Sequence, residues 1–100
     1  MSHDQNWYIG QSHIHGVGIF ANRDFPPNSF IDTAIDSNRT ITPFGSKLNH
    51  SWTPTARLVY DHITRKYDIY TIKGISRNSE ITADYTFTPP FIKKPNPQWL

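Results

Sequence analysis

Leu48-Asn49-His50-Ser51-Trp52-Thr53-Pro54 is the stretch on which the reading of this chain turns. It is polar and turn-like, and it lies between two apolar segments. Asn and Ser side chains hydrogen-bond nearby backbone, and Pro54 interrupts regular structure. A plain surface loop has this composition. So does a ligand-binding element held on a rigid scaffold. The sequence on either side has to decide between them.

Working outward, helical periodicity is almost absent. Gly, Pro, Asn, Asp, Ser and Thr recur at short intervals between short segments rich in Ile, Val, Tyr and Phe, the pattern of a mostly β domain. Toward the N-terminus, Trp7-Tyr8-Ile9, Gly16 to Ala21 and Ser29 to Ile35 read as strands, the third with broken alternation. Asp36 to Ser46 is polar, irregular and too short for a substantial helix. Beyond Pro54, Ala56 to Tyr60 and Lys66 to Ile72 form a hairpin that turns over Asp61 to Arg65, and Glu80 to Tyr85 is the last clear strand. Alternation places Tyr67, Ile69 and Thr71 on one face and Asp68, Tyr70 and Ile72 on the other. From Thr86 onward the chain is rich in proline, with Trp99 available as an anchor. Neither an internal repeat nor a second domain is evident.

At 100 residues the chain is expected to form one small domain with a limited core. The 14% aromatic content offsets this, because each ring buries a large area. There is no cysteine, which excludes a disulfide framework and a thiolate zinc site and fits a reducing compartment. No apolar run is long enough to span a bilayer, and the first residues lack the basic and apolar regions of a signal peptide. An intracellular protein without a membrane partner is therefore expected. The formal charge of +2 is spread out apart from Arg65-Lys66 and Lys93-Lys94, which argues against a nucleic-acid partner.

Several motifs admit two readings. The histidines show no metal-ligand spacing and read as exposed or hydrogen-bonded side chains, so no metal is expected. Gly16-Val17-Gly18 lacks the third glycine and following helix of a dinucleotide fingerprint; it reads as a bulged strand entry or a close approach of backbone to a ligand. Ser51 beside His50 has no nucleophile elbow around it. Tyr85 is equally a core aromatic or a site residue.

Taken together and in order, three segments resemble the SET-domain lysine methyltransferases. Gly16-Val17-Gly18-Ile19-Phe20-Ala21 resembles the family's G-x-G-φ-F-A segment. Leu48 to Arg57 resembles its N-H-S-x-x-P-N motif. Ile69 to Ile75, running on to Glu80-Ile81-Thr82-Ala83-Asp84-Tyr85, resembles its strand pair ending in E-φ-T-x-D-Y. The resemblance covers about residues 9–87 of a single minimal domain, 1–100, with 88–100 as a proline-rich tail; the compact size is most similar to the small viral or phage members.

The resemblance implies a SET-domain, β-clip-like fold of short sheets around a threaded, pseudoknot core. It implies a protein-lysine N-methyltransferase that uses S-adenosyl-L-methionine as cosubstrate and a protein or peptide lysine as substrate. The backbone at Gly16, Val17 and Gly18 would approach the methionine part of the cosubstrate. Asn49 would bond its amino-acid end, His50 would meet the adenine through backbone contacts, and Trp99 would cover the adenine. Tyr85 would line the methyl-transfer site as the catalytic residue. Tyr8, Tyr70, Phe87 and Phe91 are the candidates for the rest of the substrate channel. Glu80 and Asp84 would organise the strand. A viral member would work in the host cytoplasm or nucleus.

Two departures stand out. Thr55 occupies the place of the motif's second Asn and offers one weaker hydrogen bond in place of a bridging amide. The insert between strand and motif, Ala34 to Ser46, is very short, and no cysteine-rich segment follows the last strand. An open substrate groove is then expected, with a homodimer as one source of the missing wall. The alternative is a SET-like peptide- or protein-binding module without turnover.

Overall fold

Seven short strands and one helical turn make up the regular structure of the computed structural model, which describes residues 6–14, 16–84, 86, 88 and 89. The first strands are β1 (Trp7–Gln11), β2 (Val17–Ala21) and β3 (Phe30–Ile35). A helical turn, α1 (Pro43–Lys47), leads into the two-residue strand β4 (Asn49–His50). The rest are β5 (Ala56–Asp61), β6 (Lys66–Thr71) and β7 (Glu80–Ala83). One sheet has the order β1-β2-β7-β4 and the other β3-β6-β5. Among the described residues no helix is long and apolar enough to cross a membrane.

β-branched and aromatic residues with period two set these strands, and the inward set forms one core between the sheets. Ile19, Ile69 and Ile81 are fully buried, and Trp7, Ile31 and Ile35 close around them. The Trp7 indole N–H donates to Asp32 at 2.7 Å, so the polar end of a buried ring is satisfied. The broken alternation of the third strand has a structural cause. The β3–β6 ladder slips between Phe30 and Asp32 and again between Thr33 and Ile35. Each slip turns the following side chains to the other face.

The short insert does carry a helix, which its composition did not announce. Thr42 caps it, accepting from the Gly45 N–H at 3.0 Å while its own hydroxyl donates to the Thr33 carbonyl at 2.7 Å, and Pro43 begins the first turn. Phe44 enters the core 1% exposed, with its ring 5.2 Å from that of Trp7. A Cβ at Gly45 would collide with the Ala34 backbone, so only glycine lets the turn lie this close to β3.

The Asn49–Thr55 strap holds β7 from two directions. β4 runs parallel to β7, pairing Asn49 with Thr82 and His50 with Ala83, and the Ser51 N–H donates to the Ala83 carbonyl at 3.0 Å. A turn built on Ser51 Oγ, which accepts from the Thr53 N–H, then reverses the chain. Thr55 consequently lies back beside the start of β7. Its hydroxyl accepts from the Thr82 N–H at 3.0 Å and donates to the Glu80 carbonyl at 3.3 Å, and its N–H donates to Thr82 Oγ1 at 3.3 Å. The expectation of one weak bond from Thr55 is thus too low, because Thr82 reciprocates. Thr55→Val, which keeps the shape and removes the hydroxyl, is expected to cost about 1–3 kcal/mol by leaving buried backbone groups without partners. Urea unfolding checks it: an unchanged midpoint would show that the strap does not depend on this bridge.

Candidate functional site

The glycine segment is built from its two ends. The Ser12 N–H donates to the Gly16 carbonyl at 2.8 Å, closing the β1–β2 connection, and Gly16 adopts φ +49°. A Cβ on Gly16 would meet nothing within 4 Å, so the residue serves backbone conformation. Gly18 serves space. A Cβ there would run into the Glu80 carboxylate and lie 2.9 Å from Asn49 Nδ2. The Asn49 amide donates to the Val17 carbonyl and to Glu80 Oε2, both at 3.0 Å. Ser12 Oγ, 2.9 Å from both Glu80 oxygens, supplies a further donor and accepts from the Ile14 N–H. Val17, Gly18, Asn49, Glu80 and Ser12 therefore form one clamped unit across β2, β7 and β4.

Sequence reasoning missed Ser12. Its signal was a serine two residues ahead of the amide that it accepts from, just before the paired glycines. Glu80 was expected to organise its strand, and it does so while also backing Gly18.

His50 points to the opposite face from Asn49, as adjacent strand residues do. It is 5% exposed, its Nδ1 is 3.8 Å from Asp84, and its ring meets Trp52 edge-on at 4.3 Å. Burial lowers its pKa, and the opposing pull of the Asp84 carboxylate does not restore it. For Asp84 burial acts upward, but hydrogen bonds from Thr86 and the proximity of His50 prevail, and its carboxyl titrates below the usual range. Because folded His50 resists a proton that the unfolded chain accepts, its contribution is complete above the ordinary histidine value of 6.5 and declines as the pH falls below it. The urea midpoint is therefore expected to drop between about pH 7 and pH 5. The slope in that window should flatten in His50→Gln; the same slope in both proteins would assign it elsewhere.

On the far side of β7 lies an apolar cavity of about 190 Å³. Ile35, Ile41, Leu48, Leu58 and Ile69 supply its walls, and Ala83 and Asp84 border it. Gly45 and Ser46 of α1 line it as well, so the short insert itself provides a wall. An apolar cavity of about 150 Å³ takes one benzene molecule, so this volume suits a single side chain rather than a nucleoside.

The structure brings Gly16, Val17, Gly18 and Asn49 together, with His50 next to them on the reverse face. It does not bring Tyr8 or Tyr70 to the cavity. Tyr8 stacks on Phe20 and donates to Asn78 at 2.8 Å, at the β7 end where Glu80 pairs with Phe20. Tyr70 packs edge-on against Phe30, 5.7 Å between centroids, across the β3–β6 ladder. Tyr85, Phe87, Phe91 and Trp99 lie outside the described residues. Among the described residues no group of three His, Asp or Glu side chains is placed to hold a metal ion.

No protein-family model matches the sequence, and no curated protein is detectably similar to it. Solved structures do match. The crystal structure of a candidate histone methyltransferase from Plasmodium falciparum superposes with a TM-score of 0.69 at 22% identity, over 85% of this chain and 96% of that one. The fold is SET-like. Within this SET-like fold, the clamped glycines and the cavity occupy the two sides of β7, joined by the Asn49–Thr55 strap.

Proposed function

We propose that this chain is an S-adenosylmethionine-dependent protein-lysine N-methyltransferase. One observation carries the reading. A backbone segment whose packing requires glycine at position 18 and an apolar cavity for one side chain lie on opposite sides of the same strand. The fold of the Plasmodium chain, described as a candidate histone methyltransferase, supports it. That chain is matched over 96% of its length, so a domain this small does not call for a viral source.

The donor set fits the cosubstrate. Gly18 adds no side chain to the segment, and the Asn49 amide is fixed beside it by donating to the Val17 carbonyl and to Glu80. When bound, S-adenosylmethionine supplies an electrophilic methyl group on a sulfonium. The protein's part is to bind, orient and desolvate. Lysine has a reference pKa of about 10.4, so its ammonium must lose a proton before it can attack. Aliphatic walls such as Leu58 and Ile69 disfavour the charged amine, and a narrow cavity holds the neutral one in line. Asp84, at the border, works against deprotonation inside but attracts the incoming cation. Tyr85, two residues beyond β7, is assigned to orienting the amine, the His50 backbone to the adenine, and Trp99 to covering it.

One feature favours the second reading, a binding module without turnover: the described cavity lining contains no tyrosine. Calorimetric titration with S-adenosylmethionine, paired with methylation of a lysine peptide library, separates the readings. Binding with transfer that is lost in Tyr85→Phe supports the enzyme. Peptide binding without nucleoside binding would replace it with the module.

A further inference from the structure

Glu80 presents an unusual charge balance. Its carboxylate is half-buried behind Gly18, yet its hydrogen bonds come from the neutral donors Ser12 Oγ and Asn49 Nδ2. Among the described residues no Lys or Arg pairs with it; the one contact of a basic side chain with a carboxylate joins His50 and Asp84, 3.8 Å apart. Neutral donors orient a carboxylate but leave its net charge uncancelled, and partial burial reduces the water that would screen it. A structural carboxylate of this kind usually has an Arg or Lys against it, because an unpaired charge is costly to desolvate. Here the Ser12 hydroxyl, shared between both carboxylate oxygens, and the Asn49 amide fix a negative charge in the space that a Gly18 side chain would occupy.

Resting on the methyltransferase reading above, we propose that Glu80 is a specificity-determining residue that tilts the site toward the cationic cosubstrate and away from the spent product. S-adenosylmethionine carries one positive charge more than S-adenosylhomocysteine, because loss of the methyl converts the sulfonium to a neutral thioether. The two ligands are otherwise nearly the same shape. Contacts with adenine, ribose or the amino-acid end cannot tell them apart; a fixed negative charge can. The same device weakens the hold on product once transfer has occurred.

Calorimetry with both nucleosides tests this on the unaltered protein, Glu80→Gln and Glu80→Asp. Gln keeps the shape, accepts from Asn49 and can donate to Ser12, so the clamp persists without its charge. Glu80→Gln is expected to shift the affinity ratio toward S-adenosylhomocysteine by about tenfold, the size that screened attraction leaves at a half-buried site. Glu80→Asp should retain most of the original ratio. In the unaltered protein, raising the salt concentration should move the ratio in the same direction as Glu80→Gln, an effect that needs no variant to fold. Equal weakening of both ligands in Glu80→Gln, or a ratio indifferent to salt, overturns the inference and leaves Glu80 as a brace. Binding of neither nucleoside by the unaltered protein overturns the methyltransferase reading and this inference with it.

Discussion

Gly18→Ala is expected to weaken S-adenosylmethionine binding at least a hundredfold, about 2.8 kcal/mol. The new methyl group falls on the Glu80 carboxylate and on Asn49 Nδ2, neither of which is idle. Asn49 ties β4 to the Val17 carbonyl and to Glu80, and Ser12 ties the β1–β2 connection to the same carboxylate. Making room for one carbon therefore breaks the clamp that shapes the glycine segment. Lost hydrogen bonds at about 0.5–1.5 kcal/mol each put the accompanying stability loss near 1–3 kcal/mol. Gly16→Ala is the control. Its methyl group meets open space, and the cost is the left-handed backbone alone, about 1 kcal/mol. Calorimetry and thermal melts on the two variants decide the matter. If Gly18→Ala binds as tightly as Gly16→Ala, space behind Gly18 is not what the site requires.

Phe44→Ala should produce the largest loss of stability, about 3–5 kcal/mol. The ring is 1% exposed, packs against Trp7, and is the buried side chain of α1. A helix of one turn has no stability of its own, since its few hydrogen bonds do not repay nucleation. Without the ring, the Thr42 cap, the Leu48 C-cap and the packing of Gly45 on Ala34 are left to hold it, and α1 itself buries no other side chain. For a domain of this size the melting temperature should fall by more than about 12 °C. Peptide affinity should fall as well, because Gly45 and Ser46 line the cavity. Phe44→Leu, which refills most of the space, should lose far less. A drop of under 1 kcal/mol in Phe44→Ala, measured by urea unfolding, would mean that the insert does not depend on this anchor.

The long strands were legible because their side chains alternate or cluster in ways that only burial explains, as in Ala56–Asp61 and Lys66–Thr71. The SET-like fold was legible because three motifs kept their order. Two elements were not read. α1 is too short to show a helical period, although Thr42-Pro43 is a good cap followed by a good first residue. β4 has two residues and exists only because β7 lies beside it, and local sequence contains no trace of that partner. Register limited the site in the same way. Tyr8 and Tyr70 are aromatic and half-buried, but pairing carries one to Asn78 and the other to Phe30. Leu58, Ile41 and Ile69, which do line the cavity, look like any other core aliphatics in the sequence. Thr55 shows the converse: a residue read as a deficit is held by two reciprocal hydrogen bonds with Thr82, a pairing that only the fold reveals.

The place of β7 between β2 and β4 bears on how the chain is made. During synthesis the β1–β2 hairpin and the Asn49–Thr55 strap leave the ribosome well before Ala83 does. Through that interval β2 carries an open edge, with apolar residues such as Ile19 facing a core that is not yet closed. Strand pairings this distant in sequence form slowly. The nascent domain is thus a natural client for a holdase, and a chain stalled before residue 80 should be far more prone to aggregate than one released after residue 84.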